Sequence, residues 1–175
     1  MPPFELESLP KVKAYSACIY DSSLKELVHS FKYKGKSVLA KVFSRLMIDY
    51  IKDNPEITDV DLIAVVPLHK ERLREREFNQ SLLVAGPIAK EYSLLIANTL
   101  EKIRKTRYQN ELSKSERLKN LRGAFGLSPK ADIKNKNILL IDDVMTTGAT
   151  LSECAKILLN YGAGGVTCFT LARGI

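Results

Sequence analysis

Apolar residues recur at helical spacing in the first third of the chain. The first set consists of Leu24, Leu27, Val28 and Phe31. Its three- and four-residue spacing predicts a helix over residues 22–34 that ends at Gly35. A second helix is predicted from Ser37, a favourable N-cap residue, to about residue 53. Its expected inward-facing positions are Val38, Leu39, Val42, Leu46 and Ile51.

Short apolar runs and further helical segments alternate in the rest of the chain. The runs are rich in β-branched residues and too short for free-standing helices, which favours buried strands. The predicted strands are 62–66, 95–103, 138–141 and 166–171. The predicted helices are 79–92, with Pro87 inside it, and 151–161, with Gly162 as C-cap. This alternation predicts an α/β fold with a mostly parallel sheet covered by helices on both faces.

Two polar segments interrupt this pattern. Residues 68–77 read as a charged loop in which Arg72, Arg74 and Arg76 alternate with glutamates. In an extended segment, that spacing puts the three arginines on one side. A solvated, charge-rich turn is the alternative. Residues 106–121 have no apolar face wide enough to dock, which predicts a mobile loop with one helical turn at 115–120.

Composition and charge narrow the class of protein. The 175 residues suit one domain, or one with a small appendage. No apolar run approaches the roughly 20 residues that cross a bilayer, and the N-terminus lacks signal-peptide character. The sequence therefore predicts a cytoplasmic protein without membrane insertion. The 27 basic and 20 acidic side chains leave a net charge of +7, which favours anionic partners.

Cysteine and histidine positions argue against a zinc site. Cys18, Cys154 and Cys168 are far apart and form no Cys-x-x-Cys pair, so no zinc is predicted in this chain. His29 lies in a predicted amphipathic helix, and neither it nor His69 is expected to bind a metal.

The most informative segment is Ile138-Leu-Leu-Ile-Asp-Asp-Val-Met-Thr-Thr-Gly-Ala-Thr150. A buried strand leads to two carboxylates at the start of a loop, and a helix follows. Ligands of open parallel sheets bind at the carboxyl ends of the strands. The small residues 146–150 offer backbone N–H groups, hydroxyls and a positive helix end, which together suit one phosphate. Asp142 and Asp143 suit vicinal hydroxyls, so the segment predicts a ribose 5-phosphate site.

The same segment has two other interpretations. The aspartates can simply end a strand and begin a turn, with Thr150 and Glu153 as a capping box. An apolar strand that ends in Asp-Asp also resembles a Walker B motif, which requires a Gly-x-x-x-x-Gly-Lys-[Ser/Thr] partner. The nearest candidate is Gly35-Lys36-Ser37, but Ser30 stands where the first glycine of the motif belongs.

This segment resembles the phosphoribosyl pyrophosphate (PRPP) signature of type I phosphoribosyltransferases. Several further segments resemble the ComF family of competence proteins, and together the matches span nearly the whole chain. They are Phe31-Lys-Tyr-Lys-Gly35, Val66-Pro-Leu68, Arg72, Arg76, Phe78-Asn-Gln80, Thr106, Gln109, Arg117, Asn120, Gly123-Ala-Phe125 and Leu171-Ala-Arg173.

The resemblance implies a fold and a set of site residues. The fold is the type I phosphoribosyltransferase fold, with a helical hood at about 1–57 and a core at about 58–175. Asp142 and Asp143 are implied as catalytic residues. The implied ribose 5-phosphate site is Asp142, Asp143, Val144, Met145, Thr146, Thr147, Gly148, Ala149 and Thr150. The implied pyrophosphate loop is Leu68, His69, Lys70, Arg72 and Arg76, and the implied flexible closing loop includes Arg104, Lys105, Arg107 and Arg117.

The sequence departs from the family pattern at two places. Glu77 stands where the family has glycine, and a carboxylate there is expected to weaken pyrophosphate binding. The four-cysteine zinc module with which members commonly begin has no counterpart in this sequence. Magnesium is expected to arrive with PRPP rather than through protein ligands.

The resemblance leaves three classes of function open. One is a Mg²⁺-dependent transferase with an unknown acceptor, which includes a nucleotide-salvage enzyme. A second is a PRPP-binding protein without turnover. A third is a protein of natural transformation that handles single-stranded DNA together with other competence proteins. The implied partners are therefore PRPP and, in the third class, DNA.

Overall fold

A computed structural model describes residues 3–6, 9–33, 38–107 and 114–174. The helices are α1 Ser22–Tyr33, α2 Leu39–Asp53, α3 Lys70–Arg76, α4 Gln80–Glu91, α5 Lys114–Leu121 and α6 Ala149–Asn160. The strands are β1 Phe4–Leu6, β2 Leu9–Ile19, β3 Leu62–Val65, β4 Leu95–Ile96, β5 Leu100–Lys102, β6 Phe125–Leu127, β7 Asn137–Met145 and β8 Gly165–Arg173. A short 3-10 helix covers Pro55–Thr58.

A six-stranded sheet forms the centre of the fold, in the order β1-β2-β8-β7-β3-β4. Every pairing in it is parallel except that of β1 with β2. Strands β5 and β6 form a separate antiparallel pair. The predicted mostly parallel sheet is confirmed, and β7 lies in its interior between β3 and β8.

Helices cover both faces of the sheet and enclose two apolar cores. Strand β7 shows the alternation that a strand buried on both faces requires. Ile138 and Leu140 face the core beneath α6, while Leu139 and Ile141 face the core beneath α2 and α4. Cys154 and Cys168 are fully buried in the first core. Among the described residues, no helix is long and apolar enough to cross a membrane.

The predicted helices 22–34, 79–92 and 151–161 correspond to α1, α4 and α6, and the predicted strands 62–66 and 166–171 to β3 and β8. The predictions for Gly35, for Ser37 as an N-cap and for residues 108–113 of the mobile loop lie outside the described residues. The proposed boundary near residue 57 stays a prediction. Strand β2, which precedes that boundary, pairs with β8 in the main sheet.

Helix α2 turns a different face inward than the sequence predicted. Val38, Val42 and Leu46 are exposed, so their assignment to the core was wrong. The apolar residues of this helix extend round most of its circumference, so either of two faces could be buried. The buried face is the one with the larger side chains, and it consists of Phe43, Met47, Ile48 and Ile51, with Ala40 and Ser44.

Three other segments differ from the prediction. Residues 68–77 contain helix α3 rather than an extended loop. The single strand predicted at 95–103 is two strands, because β4 joins the main sheet and β5 pairs with β6. The single turn predicted at 115–120 is the longer helix α5, Lys114–Leu121.

Glu77 ends helix α3 in the left-handed conformation, with φ at +66°. Glycine tolerates this conformation, whereas a residue with a Cβ is strained in it. We therefore expect Glu77→Gly to raise the free energy of unfolding by about 0.5–1 kcal/mol, or the melting temperature by about 1–4 °C. Glu75→Gly, inside the same helix, is the matched control and should lower stability by about 1 kcal/mol. Urea denaturation checks both; a destabilised Glu77→Gly variant contradicts the interpretation.

Candidate functional site

A large cavity, of about 830 Å³, opens at the carboxyl ends of β3 and β7. Helices α1 and α3 and strand β5 also contribute residues to its lining. Its charged lining residues include Lys32, Arg72, Arg76, Lys102, Asp142 and Asp143. Both signs of charge thus face one space, which suits a ligand that carries hydroxyls and anionic groups together.

The two aspartates lie inside strand β7 rather than at the start of an exposed loop. Asp142 pairs in register with Thr170 of β8, and Val144 pairs with Ala172, so the strand continues past both carboxylates. Asp143 is only 8% exposed. The prediction that the two carboxylates lie at the start of a loop was therefore wrong, because β8 is long enough to hold β7 in the sheet up to Met145.

Each carboxylate accepts specific hydrogen bonds. The Ser81 hydroxyl donates to Asp142 Oδ1 over 2.9 Å, and the backbone N–H of Asp143 donates to the same oxygen over 2.9 Å. Asp143 Oδ1 accepts from the Val144 N–H at 2.7 Å, and its Oδ2 lies 2.6 Å from Lys32 Nζ. Among the described residues, Asp142 Oδ2 makes no hydrogen bond, and it is the acceptor left for a ligand.

The electrostatics of this group follow from burial and mutual contact. Burial raises the pKa of Asp142 above its usual value, and the neighbouring Asp143 carboxylate raises it further. Burial alone lowers the pKa of Lys32, but the contact with Asp143 outweighs it and the pKa of Lys32 is raised. Lys32 therefore stays a cation, and the shared negative charge of the aspartates is partly cancelled.

The start of helix α4 connects the strand ends to each other. Asn79 caps the helix by accepting from the Ser81 N–H at 3.0 Å, and its amide donates to the Val66 carbonyl at 3.0 Å. Gln80 is buried and accepts from Arg76 at 3.2 Å, and its Nε2 has no partner among the described residues. The Phe78-Asn-Gln80 segment thus fixes the position from which Ser81 reaches Asp142.

Helix α3 places the predicted pyrophosphate residues differently from an extended loop. Arg72 and Arg76 are four residues apart, share one helix face and line the cavity, while Arg74 is exposed and outside the cavity lining. The prediction that all three arginines share a side was wrong, because a helix has a period of 3.6 rather than 2.

The other residues around α3 divide between the cavity and the exterior. Leu68 lines the cavity, whereas His69 caps α3 by accepting from the Glu71 N–H at 3.4 Å. Lys70 is exposed and is not part of the cavity lining. Glu77 is also exposed and outside that lining, so the structure gives no support for the expected interference of its carboxylate with pyrophosphate.

The predicted phosphate loop joins β7 to α6. Gly148 precedes the helix with φ at +72°, which strains a residue with a Cβ, and a Cβ there would lie 3.2 Å from Leu6 Cδ2 and crowd that side chain. The Ala149 N–H points to Thr147 Oγ1 at 3.4 Å. The loop surrounds only about 10 Å³ of space, room for about one water.

The described part of the predicted closing loop already contacts α3. Arg72 donates to the carbonyls of Thr106 and Arg107, both at 3.3 Å, and Lys105 forms an ion pair with Glu71. Arg104 does not reach the cavity. Its guanidinium donates to the carbonyls of Asn120 and Arg122 at 2.9 and 2.8 Å.

Asn120 also exchanges two hydrogen bonds with Arg107, both 3.1 Å long. The two ends of the segment are thereby held together beside the cavity. The side chain of Arg117 lies outside the described part of the chain.

Lys102 is a cavity residue that the sequence analysis missed. It lies on β5, and its Nζ is 5.2 Å from the centre of the Phe125 ring on β6. Burial and the nearby Arg72 guanidinium lower its pKa to about 8. Lys102 lies near the end of the predicted strand 95–103, and nothing in the sequence around it distinguishes Lys102 from a lysine that faces solvent.

Lys32 and Ser81 were also missed as site residues. Lys32 lies inside the family-like segment Phe31-Lys-Tyr-Lys-Gly35, and Ser81 directly follows the family-like segment Phe78-Asn-Gln80. These positions were the only indication in the sequence that the two residues belong to the site. Their partners lie far along the chain, so only the fold assigns them a contact.

Comparisons with known proteins bear on this site. The family model described as the phosphoribosyl transferase domain matches residues 79–175. The DNA utilization protein YhgH of Salmonella typhi is 33% identical over 168 residues, which cover 94% of this chain and 73% of that protein. Competence protein F of Haemophilus influenzae is 29% identical over 159 residues, 88% of this chain and 69% of its own.

A solved structure, a hypoxanthine phosphoribosyltransferase from Staphylococcus aureus, aligns over 77% of this chain and 62% of its own. Its identity to this chain is 16%, and the TM-score is 0.45. The family model covers the stretch from the start of α4 to the end of β8. It therefore includes Ser81, both aspartates and the loop before α6.

Proposed function

The chain belongs to the phosphoribosyl transferase domain family, and from that premise we propose that it binds PRPP in the cavity at the end of β7. The family membership and the fold class implied by the sequence resemblance are confirmed. Relatives over most of the chain are named competence and DNA utilization proteins, so this is a competence-related, phosphoribosyltransferase-like protein. That PRPP is its ligand is the part that we propose.

One observation carries the proposal. Carboxylates and cations line one cavity, with Asp142 contributed by β7, Arg72 by α3 and Lys102 by β5. The ribose hydroxyls suit the open oxygen of Asp142, which can accept from a diol. The diphosphate suits Arg72, Arg76 and Lys102, since cations in a partly buried cavity bind phosphoryl oxygens strongly. The 5-phosphate suits the backbone N–H groups of residues 146–150.

Magnesium fits this proposal as a companion of the ligand. No group of three or more His, Cys, Asp or Glu side chains suited to a metal occurs among the described residues. Mg²⁺ would take its oxygen ligands from the diphosphate, the ribose hydroxyls and waters, rather than from the protein. Bound Mg²⁺ supplies charge neutralisation of the diphosphate.

The residues of this chain would bind and orient the sugar. If the protein turns PRPP over, the bond from C1 to the diphosphate oxygen breaks, the pyrophosphate leaves with the bonding electrons, and an acceptor nucleophile bonds to C1. Arg72, Arg76 and Lys102 would stabilise the departing charge. Binding without turnover remains the alternative function. Pyrophosphate release, measured with candidate acceptors, distinguishes the two.

A substitution of Asp142 tests whether this cavity binds PRPP. Asp142→Asn keeps the shape of the side chain but removes the charge that strengthens its hydrogen bonds to a diol, so PRPP affinity should fall by about tenfold or more. Isothermal titration calorimetry in Mg²⁺ measures the loss. Asp132→Asn, at an exposed position that pairs with Lys136, is the matched control and should bind as the wild type does. Equal affinity in Asp142→Asn and wild type would exclude this cavity as the site.

A second prediction concerns the pH dependence of binding through Lys102. An anion binds the protonated amine, so affinity should be full below the pKa of about 8 and should fall as pH rises through it. The positive charges of Arg72 and Arg104 favour the neutral form of this amine, whereas the Asp142 carboxylate favours its charged form.

Lys102→Arg should remove the fall above pH 8, because arginine stays charged. Lys102→Met should bind weakly at every pH. The ionisation of PRPP itself is common to all three titrations, so the ratio of dissociation constants isolates the lysine. A wild type and a Lys102→Arg variant with parallel pH profiles would show that Lys102 does not contact the ligand.

Single-stranded DNA is a second candidate ligand, supported by the names of the relatives and by the net charge of +7. Residues 104–122 hold seven basic and two acidic side chains. Backbone phosphates would supply this affinity, with other competence proteins as further partners.

If backbone phosphates dominate, affinity for a labelled oligonucleotide should fall about a hundredfold between 50 and 250 mM salt for about four phosphates engaged. Lys119→Glu with Arg122→Glu should weaken binding. Lys13→Glu with Lys90→Glu makes the same change in net charge at exposed sites elsewhere and should weaken it less. Fluorescence anisotropy decides the matter; no binding at 50 mM salt would remove direct DNA contact from this chain.

A further inference from the structure

Gln80, the first residue of helix α4, has a polar side chain that is almost completely buried. It is 1% exposed, and it lines the cavity together with Arg76. Its Oε1 accepts a hydrogen bond from Arg76 Nη1 over 3.2 Å. Glutamine is seldom buried in full, because its amide has both donors and an acceptor to satisfy. Its burial beside an arginine of the cavity therefore indicates a role for the amide.

The orientation of the Gln80 amide follows from its contact with Arg76. A guanidinium group only donates hydrogen bonds, so the amide carbonyl rather than the NH₂ group must face it. The NH₂ nitrogen, Nε2, is buried and has no hydrogen-bond partner in the part of the chain that the structure describes. A buried donor without an acceptor lowers stability. The contribution of this amide is therefore its carbonyl, which fixes Arg76, rather than the stability of the fold.

Arg76 gains from a fixed acceptor because of its place in the fold. It is the last residue of helix α3, and Glu77 follows in the left-handed conformation. A long side chain at a helix end loses conformational freedom when it binds a ligand, and that loss weakens binding. Gln80 is itself fixed, because the preceding Asn79 caps α4 and donates to the Val66 carbonyl. An arginine oriented in advance loses less freedom when the ligand arrives.

The charge of the acceptor matters as well as its position. A carboxylate at position 80 would form an ion pair with Arg76 and would largely cancel the charge that attracts an anion. An amide carbonyl orients the guanidinium group and leaves its positive charge in place. A neutral acceptor is thus the one that suits an arginine intended for an anionic ligand.

We propose that Gln80 is a positioning residue whose amide carbonyl holds the Arg76 guanidinium group at the cavity without neutralising it, so that Arg76 can bind a phosphoryl group. The inference rests on the proposed function for the identity of that group, which is the diphosphate of PRPP. The contact between Gln80 and Arg76 belongs to the free protein, so it can also be tested without a ligand.

Calorimetric titration of the full chain with inorganic pyrophosphate and Mg²⁺ tests the ligand side of the proposal. Gln80→Met keeps the approximate shape of the side chain but removes the acceptor, and it should weaken affinity by about fivefold. Gln80→Glu should weaken it by about tenfold or more, because it neutralises Arg76. Asn98→Asp changes an exposed amide outside the cavity lining and is the matched control for the added charge.

Ribose 5-phosphate, which lacks the diphosphate, is the control ligand. It should bind to the wild type, Gln80→Met and Asn98→Asp with nearly equal affinity, because the proposed role of Gln80 concerns only the diphosphate. A loss of affinity for ribose 5-phosphate as large as that for pyrophosphate would overturn the proposal, since the substitution would then disturb the whole cavity. Equal affinity of the wild type and Gln80→Met for pyrophosphate would overturn it as well.

A double-mutant cycle shows whether Gln80 acts through Arg76. Arg76→Met should itself weaken pyrophosphate binding, and the addition of Gln80→Met should weaken it by less than about twofold further. A full additional loss would overturn the positioning role, because Gln80 would then affect the anion independently of Arg76.

The stability of Gln80→Met distinguishes a positioning role from a structural one. Its urea midpoint should be at least as high as that of the wild type, because the substitution removes a buried donor without an acceptor. A lower midpoint combined with unchanged pyrophosphate affinity would show that Gln80 serves the fold alone.

NMR of the free protein separates this proposal from the proposed function. The guanidinium signals of Arg76, identified by their absence in Arg76→Met, should show slower rotation of the group in the wild type and in Asn98→Asp than in Gln80→Met. Equally fast rotation in the wild type and Gln80→Met would overturn the holding contact, whatever binds. Restricted rotation in a wild type that binds neither pyrophosphate nor PRPP would support the contact and overturn the proposed function.

Discussion

The central strand β7 carries two adjacent carboxylates into the interior of the fold, and both need partners there. An ionised carboxylate without a partner is too costly to bury. The Ser81 hydroxyl and the Asp143 N–H donate hydrogen bonds to the Asp142 carboxylate. The Asp143 carboxylate accepts a hydrogen bond from the Val144 N–H and forms an ion pair with Lys32. These contacts determine where the starts of α4 and the end of α1 must lie, and hence where the cavity opens.

The same requirement links the N-terminal helices to the site. Lys32 stands at the end of α1, whose buried Phe31 packs against Phe43 of α2 and Phe78 ahead of α4. Movement of α1 would therefore separate Lys32 from Asp143 and open the core beneath it. The helices that precede the family-matched segment are thus part of the electrostatics of the cavity.

The sequence predicted the features that depend on local pattern. The alternation of strands and helices, the parallel sheet and the loop before α6 follow from short apolar runs and small residues, and the structure contains them. The sequence did not predict features for which two local arrangements are both compatible with the pattern. In α2 the face with the larger side chains is buried, so Val38, Val42 and Leu46 are exposed. Residues 70–76, rich in glutamate and arginine, form a helix instead of a loop. Lys32, Ser81 and Lys102 could not be assigned, because their partners come from distant strands.

The proposed function requires one cavity to hold a phosphorylated ribose between Asp142 and the arginines of α3. The amide chemical shifts of the isotope-labelled protein, followed during a titration with PRPP and Mg²⁺, show where the ligand binds. We expect saturable changes concentrated in the loop 146–150, at the start of α6 and along α3, with little change in the exposed face of α2. Saturable changes confined to other surfaces, or none at millimolar PRPP, would contradict it.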